Sequence, residues 1–336
     1  MENQMKDKIP EINRKDSYTA ANAVPIKIFK NEDLTASLQA GIIPAFHTQL
    51  IPTNRCNLNC SFCSCKKRDK TEELSMAQIS DIVDSMAALG CKAVTVTGGG
   101  EPLMHRNINE ILTMIASADI KIGLVTNGLL FEKLRTDALQ CVTWCRVSCA
   151  DERPFTEEAQ AILHSAVHRG NRVDWAFSYV VGDKYRPENL AKYIEFANSR
   201  HFTHIRVVSD LCNLDNVDEM DNIKKGLTPY CINDSLVIYQ CRKHYDHGEK
   251  QCWISLLKPL VGADGKVYPC CGVQYAHLDQ DLDLPDSMCM GDARDLIGII
   301  DKQVPFDGSQ CTRCYYKDYN KILGQMIGEV DHKEFV

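Results

Sequence analysis

The cysteines are the residues of this chain best suited to chemistry, and their spacing is informative. Cys56, Cys60 and Cys63 stand as C-x3-C-x2-C in Cys56-Asn-Leu-Asn-Cys60-Ser-Phe-Cys63. Thiolates so arranged suit soft metals. Zinc usually takes four ligands. A four-iron cluster held by three cysteines leaves one iron open to a substrate or cofactor. Cys65 is read as a spare thiol. A second set is spread out: Cys252, then Cys270 after seventeen residues, then Cys311-Thr-Arg-Cys314. Asp264-Gly265 ahead of Lys266-Val-Tyr signals a hairpin, expected to bring Cys252 and Cys270 together on a small antiparallel pair. With Cys311 and Cys314 this makes a four-thiolate site for zinc or an iron–sulfur cluster. A third motif is Thr97-Gly98-Gly99-Gly100-Glu101-Pro102. Glycines there let a ligand approach the backbone closely, and Glu101 can accept from an ammonium group.

Alternating strands and helices must position these residues. Apolar stretches at His47–Ile51, Ala93–Thr97, Lys121–Thr126, Val142–Ser148, Val173–Val181 and Thr203–Val208 read as strands. Between them lie helices. The clearest is Leu74–Gly90, with Ser75 and Gln78 as a capping box and Gly90 as its stop. Others fall near 108–115, 129–139, 156–168 and 187–200. Six such repeats predict a parallel sheet covered by helices, with sites in the loops after the strands. The cysteine and glycine loops each follow a strand. Residues 1–45 read as an arm or cap, because Pro10, Pro25 and Pro44 break any long helix. Residues 46–210 form the repeat region, 211–250 a linker or crossing segment, and 251–336 a Cys-rich module.

Composition narrows the function classes. The 336 residues carry 38 basic and 45 acidic side chains, a net charge of −7, and 44% are apolar. These values exclude a disordered or fibrous chain. The acidity argues against nucleic acid as the main partner. No apolar run reaches the ~18 residues of a membrane span. Residues 1–17 hold four acidic and four basic side chains, unlike a signal peptide. The odd count of 17 cysteines and the C-x-x-C spacing favour metal ligation in a reducing, cytoplasmic compartment over disulfides.

On these motifs the chain resembles the radical S-adenosylmethionine (SAM) superfamily from about residue 47 to 210, and its C-terminal part resembles the SPASM/Twitch branch. The resemblance implies an α/β fold: a partial, open (βα)6 TIM-type barrel with a small Cys-rich Twitch-like module. It implies that Cys56, Cys60 and Cys63 hold a [4Fe–4S] cluster whose open iron SAM chelates. Gly99, Gly100 and Glu101 would meet the SAM amino group, and Phe62 would lie beside the adenine. Ser148, at the end of the fourth strand, would contact the ribose or carboxylate. The family often reads Ser-x-Asp-Gly there, whereas this chain reads Ser148-Cys-Ala-Asp151, so Asp151 receives no role. Asn127 reads as a turn residue. Cys252, Cys270, Cys311 and Cys314 would hold one auxiliary [4Fe–4S] cluster, with Cys271 or Cys289 as substitutes.

The implied activity is reductive cleavage of SAM to a 5′-deoxyadenosyl radical, which abstracts a hydrogen atom from substrate. Cys149 and Cys271 are candidate hydrogen-atom donors, with Cys212 a further thiol near the barrel mouth. The implied substrate is a ribosomally made peptide. A sugar or cyclitol dehydrogenase or epimerase is the alternative. A one-electron donor such as flavodoxin or ferredoxin would be the redox partner. A non-catalytic zinc-binding module is the competing non-enzyme reading.

Overall fold

The computed structural model describes residues 20–182, 185–216, 218–242, 244–276 and 284–331. Seven parallel strands run in chain order: β1 (His47–Leu50), β2 (Ala93–Val96), β3 (Lys121–Thr126), β4 (Val142–Ala150), β5 (Asp174–Val181), β6 (His204–Ser209) and β7 (Val237–Gln240). Helices Met76–Ala88, Ile108–Ser117, Glu157–Arg169 and Pro187–Ser199 connect most of them. Sequential parallel strands need such crossovers. The far edge of β1 pairs with β8 (Leu260–Val261) and not with β7, so the barrel stays open.

The six expected strands are present within a residue or two of their predicted bounds. The capping box of Met76–Ala88 is complete, with Ser75 and Gln78 each bonding the other's backbone N–H. Ile79, Ile82, Val83 and Met86 bury one face of that helix. Gly90 follows at φ +70°, a left-handed turn that glycine adopts freely.

Several expectations need correction. The helix expected near 129–139 is a 3-10 turn, Phe131–Lys133, followed by the short helix Thr136–Gln140. The Arg169 guanidinium donates to the carbonyls of Phe131 and Leu134, which a continuous helix would use internally. β4 runs two residues beyond Ser148 to Ala150. Pro25 lies inside the helix Ala20–Phe29 and a second helix, Glu32–Gln39, follows, both of them short. Residues 1–19 of the expected arm lie outside the described residues. The segment 211–250 is more than a linker. It holds helix Met220–Leu227 and β7, which adds to β6 in parallel.

The C-terminal hairpin also differs from expectation. β8 and β9 (Lys266–Tyr268) form it around Gly265, at φ +76°. It is not free-standing, because β8 extends the barrel sheet beyond β1 and β10 (Gly291–Asp292) adds to β9. Cys252 lies before this pair and bridges to Phe306 instead. Among the described residues, no helix is long and apolar enough to cross a membrane.

Inside and outside faces alternate along the wall with the two-residue period of a strand. On β4, Cys145, Val147 and Cys149 bury into the helix layer, while Trp144, Arg146 and Ser148 take the other face. On β5, Phe177 and Tyr179 do the same against Tyr193, and Trp175 packs with Phe131 and Phe202. Replacing Ser75 by Ala removes the cap of helix Met76–Ala88 and should lower stability by about 1 kcal/mol, as read by chemical denaturation.

Candidate active site

Two loops meet at the carboxyl ends of β1 and β2. The Gly100 N–H donates to the Thr53 carbonyl (3.2 Å) and the Glu101 N–H to the Arg55 carbonyl (2.8 Å). A Cβ on Gly100 would sit 2.0 Å from the Arg55 oxygen, and one on Gly99 1.9 Å from Asn54 Oδ1. Glycine is thus required by the packing of the two loops, a tighter reason than room for a ligand. Arg68 strengthens the junction: its Nε donates to the Asn54 carbonyl (2.8 Å), and its Nη1 to the Cys65 carbonyl and to Cys63 Sγ (3.5 Å).

Glu101 is 2% exposed and held by three donors. Its Oε1 accepts from the Thr126 hydroxyl (2.6 Å) and the Leu103 N–H (3.1 Å), and its Oε2 from the Asn127 N–H (2.7 Å). Burial raises its pKa, against the pull of those donors. Asn127 takes up the turn, as expected, accepting from the Leu129 N–H (3.0 Å). Its side-chain amide also donates to Asn57 Oδ1 (2.7 Å), inside the cysteine loop.

Above this junction lies a cavity of about 300 Å³. Cys56, Cys60 and Cys63 line it, with Phe62, Gly99, Gly100, Glu101 and Ser148. Residues scattered over more than ninety positions therefore converge on one space. The Cys63 thiol is pushed down to about 6, chiefly by its hydrogen bond with Cys65 and then by Arg68. Burial pushes Cys60 up. Among the described residues, no three His, Cys, Asp or Glu side chains close tightly on one point, as a single-ion site would require.

Residues 50–144 match the model of the Radical SAM superfamily. The match supports that superfamily for this chain. A GTP 3′,8-cyclase of Desulforamulus reducens is 36% identical over 91 residues, 25% of this chain. The chain spans 28% of that relative's length. Two structures of Streptococcus suis SuiB share the fold at 15% identity. One, bound to precursor peptide SuiA, has a TM-score of 0.54 over 85% of this chain and 81% of that one. The other, bound to S-adenosylmethionine, has a TM-score of 0.51 over 85% and 75%.

Beyond the matched residues, the loop after β4 carries further side chains that reach the cavity. Glu152 accepts from the Ser61 N–H (3.3 Å) and hydroxyl (2.6 Å), tying down the cysteine loop. Arg153 lies over the Phe62 ring at 5.4 Å and donates to Ser148 Oγ (3.3 Å). Its buried Nε has no partner. Their signal in the sequence was position alone: the loop after a barrel strand is where sites form. Asp151 instead accepts from Tyr179 Oη (2.7 Å) and the Arg186 N–H (3.0 Å), anchoring the end of β5.

The four later cysteines come together although Cys252 is not on the hairpin. Cys252, Cys270, Cys311 and Cys314 line one small cavity with Tyr316 and Asn320. Burial pushes all four thiols up, Cys252 and Cys311 to about 12. Bare thiols would stay protonated there, and a metal would draw off their protons. The C-terminal part also closes on the first cavity. Gln274 lines it and donates to the Gly98 carbonyl (3.4 Å), and Arg313 donates to the carbonyl of Leu211, another lining residue (2.9 Å).

The candidate hydrogen-atom donors lie elsewhere. Cys149 is 2% exposed and donates to the Ser178 carbonyl (3.5 Å). It belongs to the face of β4 that packs on the helices, which corrects the expectation that it faces the barrel mouth. Cys271 lies outside the cavity lining, beside Tyr316 Oη (3.6 Å). Replacing Gly100 by Ala should force the cysteine loop off the glycine loop. The expected outcome is a cysteine loop cut faster by protease and less iron retained on anaerobic purification.

Proposed function

We propose that the chain is a radical SAM enzyme with two iron–sulfur clusters. The first would be held by Cys56, Cys60 and Cys63, and the second by Cys252, Cys270, Cys311 and Cys314. The observation that carries this reading is the single cavity lined by three thiols, the glycine loop, Phe62 and Ser148. The donor set fits: three thiolates bind three corners of a four-iron cluster and leave the fourth for SAM. When bound, these cofactors supply a one-electron reduction and hydrogen-atom abstraction, chemistry that no side chain offers.

The chain's own residues would then bind and orient. Phe62 offers an apolar face for a purine ring, with the Arg153 guanidinium across it. Arg153 has its buried Nε free for a carboxylate or hydroxyl of the cofactor. Ser148 Oγ stands beside it. Glu101 has spent its carboxylate on Thr126, Leu103 and Asn127, so its first role is to fix the loop. One lone pair of Oε2 remains for an ammonium group. Gln274 and Leu211 shield the cavity from the side of the C-terminal module, which limits water at a reactive centre.

The proposed units are an arm over 1–45, a catalytic barrel over 46–210 continued by β7, and an auxiliary-cluster part over 251–336. The second cluster would exchange electrons with the substrate or the first cluster, and flavodoxin or ferredoxin would supply them from outside. For the substrate, a ribosomally made peptide is the first reading, supported by the fold shared with a peptide-bound SuiB. A small molecule is the second. The sequence likeness to a GTP 3′,8-cyclase favours it.

The test is iron and acid-labile sulfide per chain after anaerobic purification, on wild type and on the Cys56→Ala/Cys60→Ala/Cys63→Ala variant. About eight irons falling to about four is the expected result. Zinc in place of iron in both proteins would overturn the radical mechanism and leave the binding-module reading.

A further inference from the structure

The barrel interior beneath the first cavity is polar and cationic. Parallel barrels ordinarily fill this space with stacked branched apolar side chains. Here Arg146 on β4 and Arg206 on β6 share the faces of Ser148 and Val208, both of which line the cavity. Ser148, Ser178 and Arg206 are register partners across β4, β5 and β6. Arg206 therefore stands level with Ser148 and one tier below Val208, and Arg146 one tier below Ser148 on its own strand. Lys258, just before β8, joins them: its Nζ reaches Tyr316 Oη at 3.5 Å, and Tyr316 Oη meets Cys271 Sγ at 3.6 Å. The Cys271 N–H donates to Gln49 on β1 (3.1 Å), which places this group inside the wall.

These cations are poorly compensated. Arg146 has a buried Nε with no partner, and its guanidinium lies over the Trp144 ring at 5.4 Å. Arg206 donates its Nε to Gln240, a neutral amide (2.9 Å). Among the described residues, no ion pair joins a carboxylate to Arg146, Arg206 or Lys258. Burial pushes Arg146 down to about 9, and the nearby Arg206 adds to the effect. Burial also lowers Lys258, with further contributions from Arg146 and Arg206. Three positive groups so close repel one another, and each costs desolvation unless an opposite charge joins them.

We propose that Arg146, Arg206 and Lys258 form an oxyanion site that holds a phosphate or carboxylate group of the substrate inside the barrel, below the first cavity. Guanidinium groups suit this role because their donors match both oxygens of such a group. The inference rests on the radical SAM reading only in calling the occupant a substrate. The site would leave the far end of the substrate facing the cavity, where hydrogen abstraction is proposed to occur.

The test is calorimetric titration of the anaerobically purified protein with inorganic pyrophosphate and, separately, with glutarate. Wild type, R146Q, R206Q, the double R146Q/R206Q and the charge-keeping R146K/R206K are compared, with iron content measured on each. The expected result is saturable binding of one anion, weakened about tenfold or more in each glutamine variant. R146K/R206K keeps the charge without the fork and should bind the anion more tightly than R146Q/R206Q but more weakly than wild type, an order that a merely disrupted barrel would not give. Preference for pyrophosphate points to a phosphorylated substrate, and preference for glutarate to a carboxylate. No binding of either anion, or equal binding by R146Q/R206Q, overturns the proposal. So does iron loss in R146Q/R206Q with anion binding intact, since the cations would then serve the cluster. Failure of the radical SAM reading shows separately, as zinc in place of iron while anion binding persists.

Discussion

Three consecutive glycines let the chain leaving β2 run directly against the chain that enters the cysteine loop. The contact is backbone to backbone: Gly100 N–H to Thr53 and Glu101 N–H to Arg55. Any side chain at Gly99 or Gly100 would overlap Asn54 or Arg55. Because the contact is main chain, it fixes the thiols relative to the glycine loop before any cofactor arrives. Glu101 then locks the arrangement from below, its two oxygens tied to β3 and the turn after it. Asn127 carries the link on to Asn57 in the cysteine loop. A site that must hold a reactive group in register is built here on the least adjustable part of the chain.

The strands that present this site carry different chemistry on their two faces. Outward positions on β4, β5 and β6 are aromatic, aliphatic or thiol and pack against the helices. The T-shaped and stacked rings of Phe155, Phe177, Tyr193 and Phe196 show how dense that layer is. Burial of this face supplies the stability of the wall. The inner face is therefore free to carry polar and charged groups. That division explains why Cys149 and Ser148, neighbours in sequence, have unrelated surroundings.

The second group of cysteines is tied to the same sheet through Cys270. β8 pairs with β1, so the hairpin that carries Cys270 is an extension of the barrel wall. Cys252 enters through a bridge to Phe306, and Cys314 through a bridge to Asp246. Tyr316 lines the second thiol cavity and bonds Cys271 and Lys258 inside the barrel. The two thiol sites are thus joined by a few side chains and by shared strands. Gln274 and Arg313 add contacts at the rim of the first cavity.

Much of this was legible before any coordinates. The spacing of Cys56, Cys60 and Cys63, the glycine run, and six β-branched stretches separated by helical periods are local patterns. Local patterns determine local structure, which is why Ser75 caps its helix and Gly265 turns its hairpin. β7 escaped notice because Val237–Gln240 is four residues long and earns its place only by pairing with β6. Arg153, Glu152 and the inward-facing Arg146 and Lys258 carry no motif. Their roles come from which way a strand residue points and from which distant segment lies opposite. A sequence states the period of a strand. Only the packed sheet decides which phase faces the helices and which faces the cavity, because burial of the apolar face sets that choice.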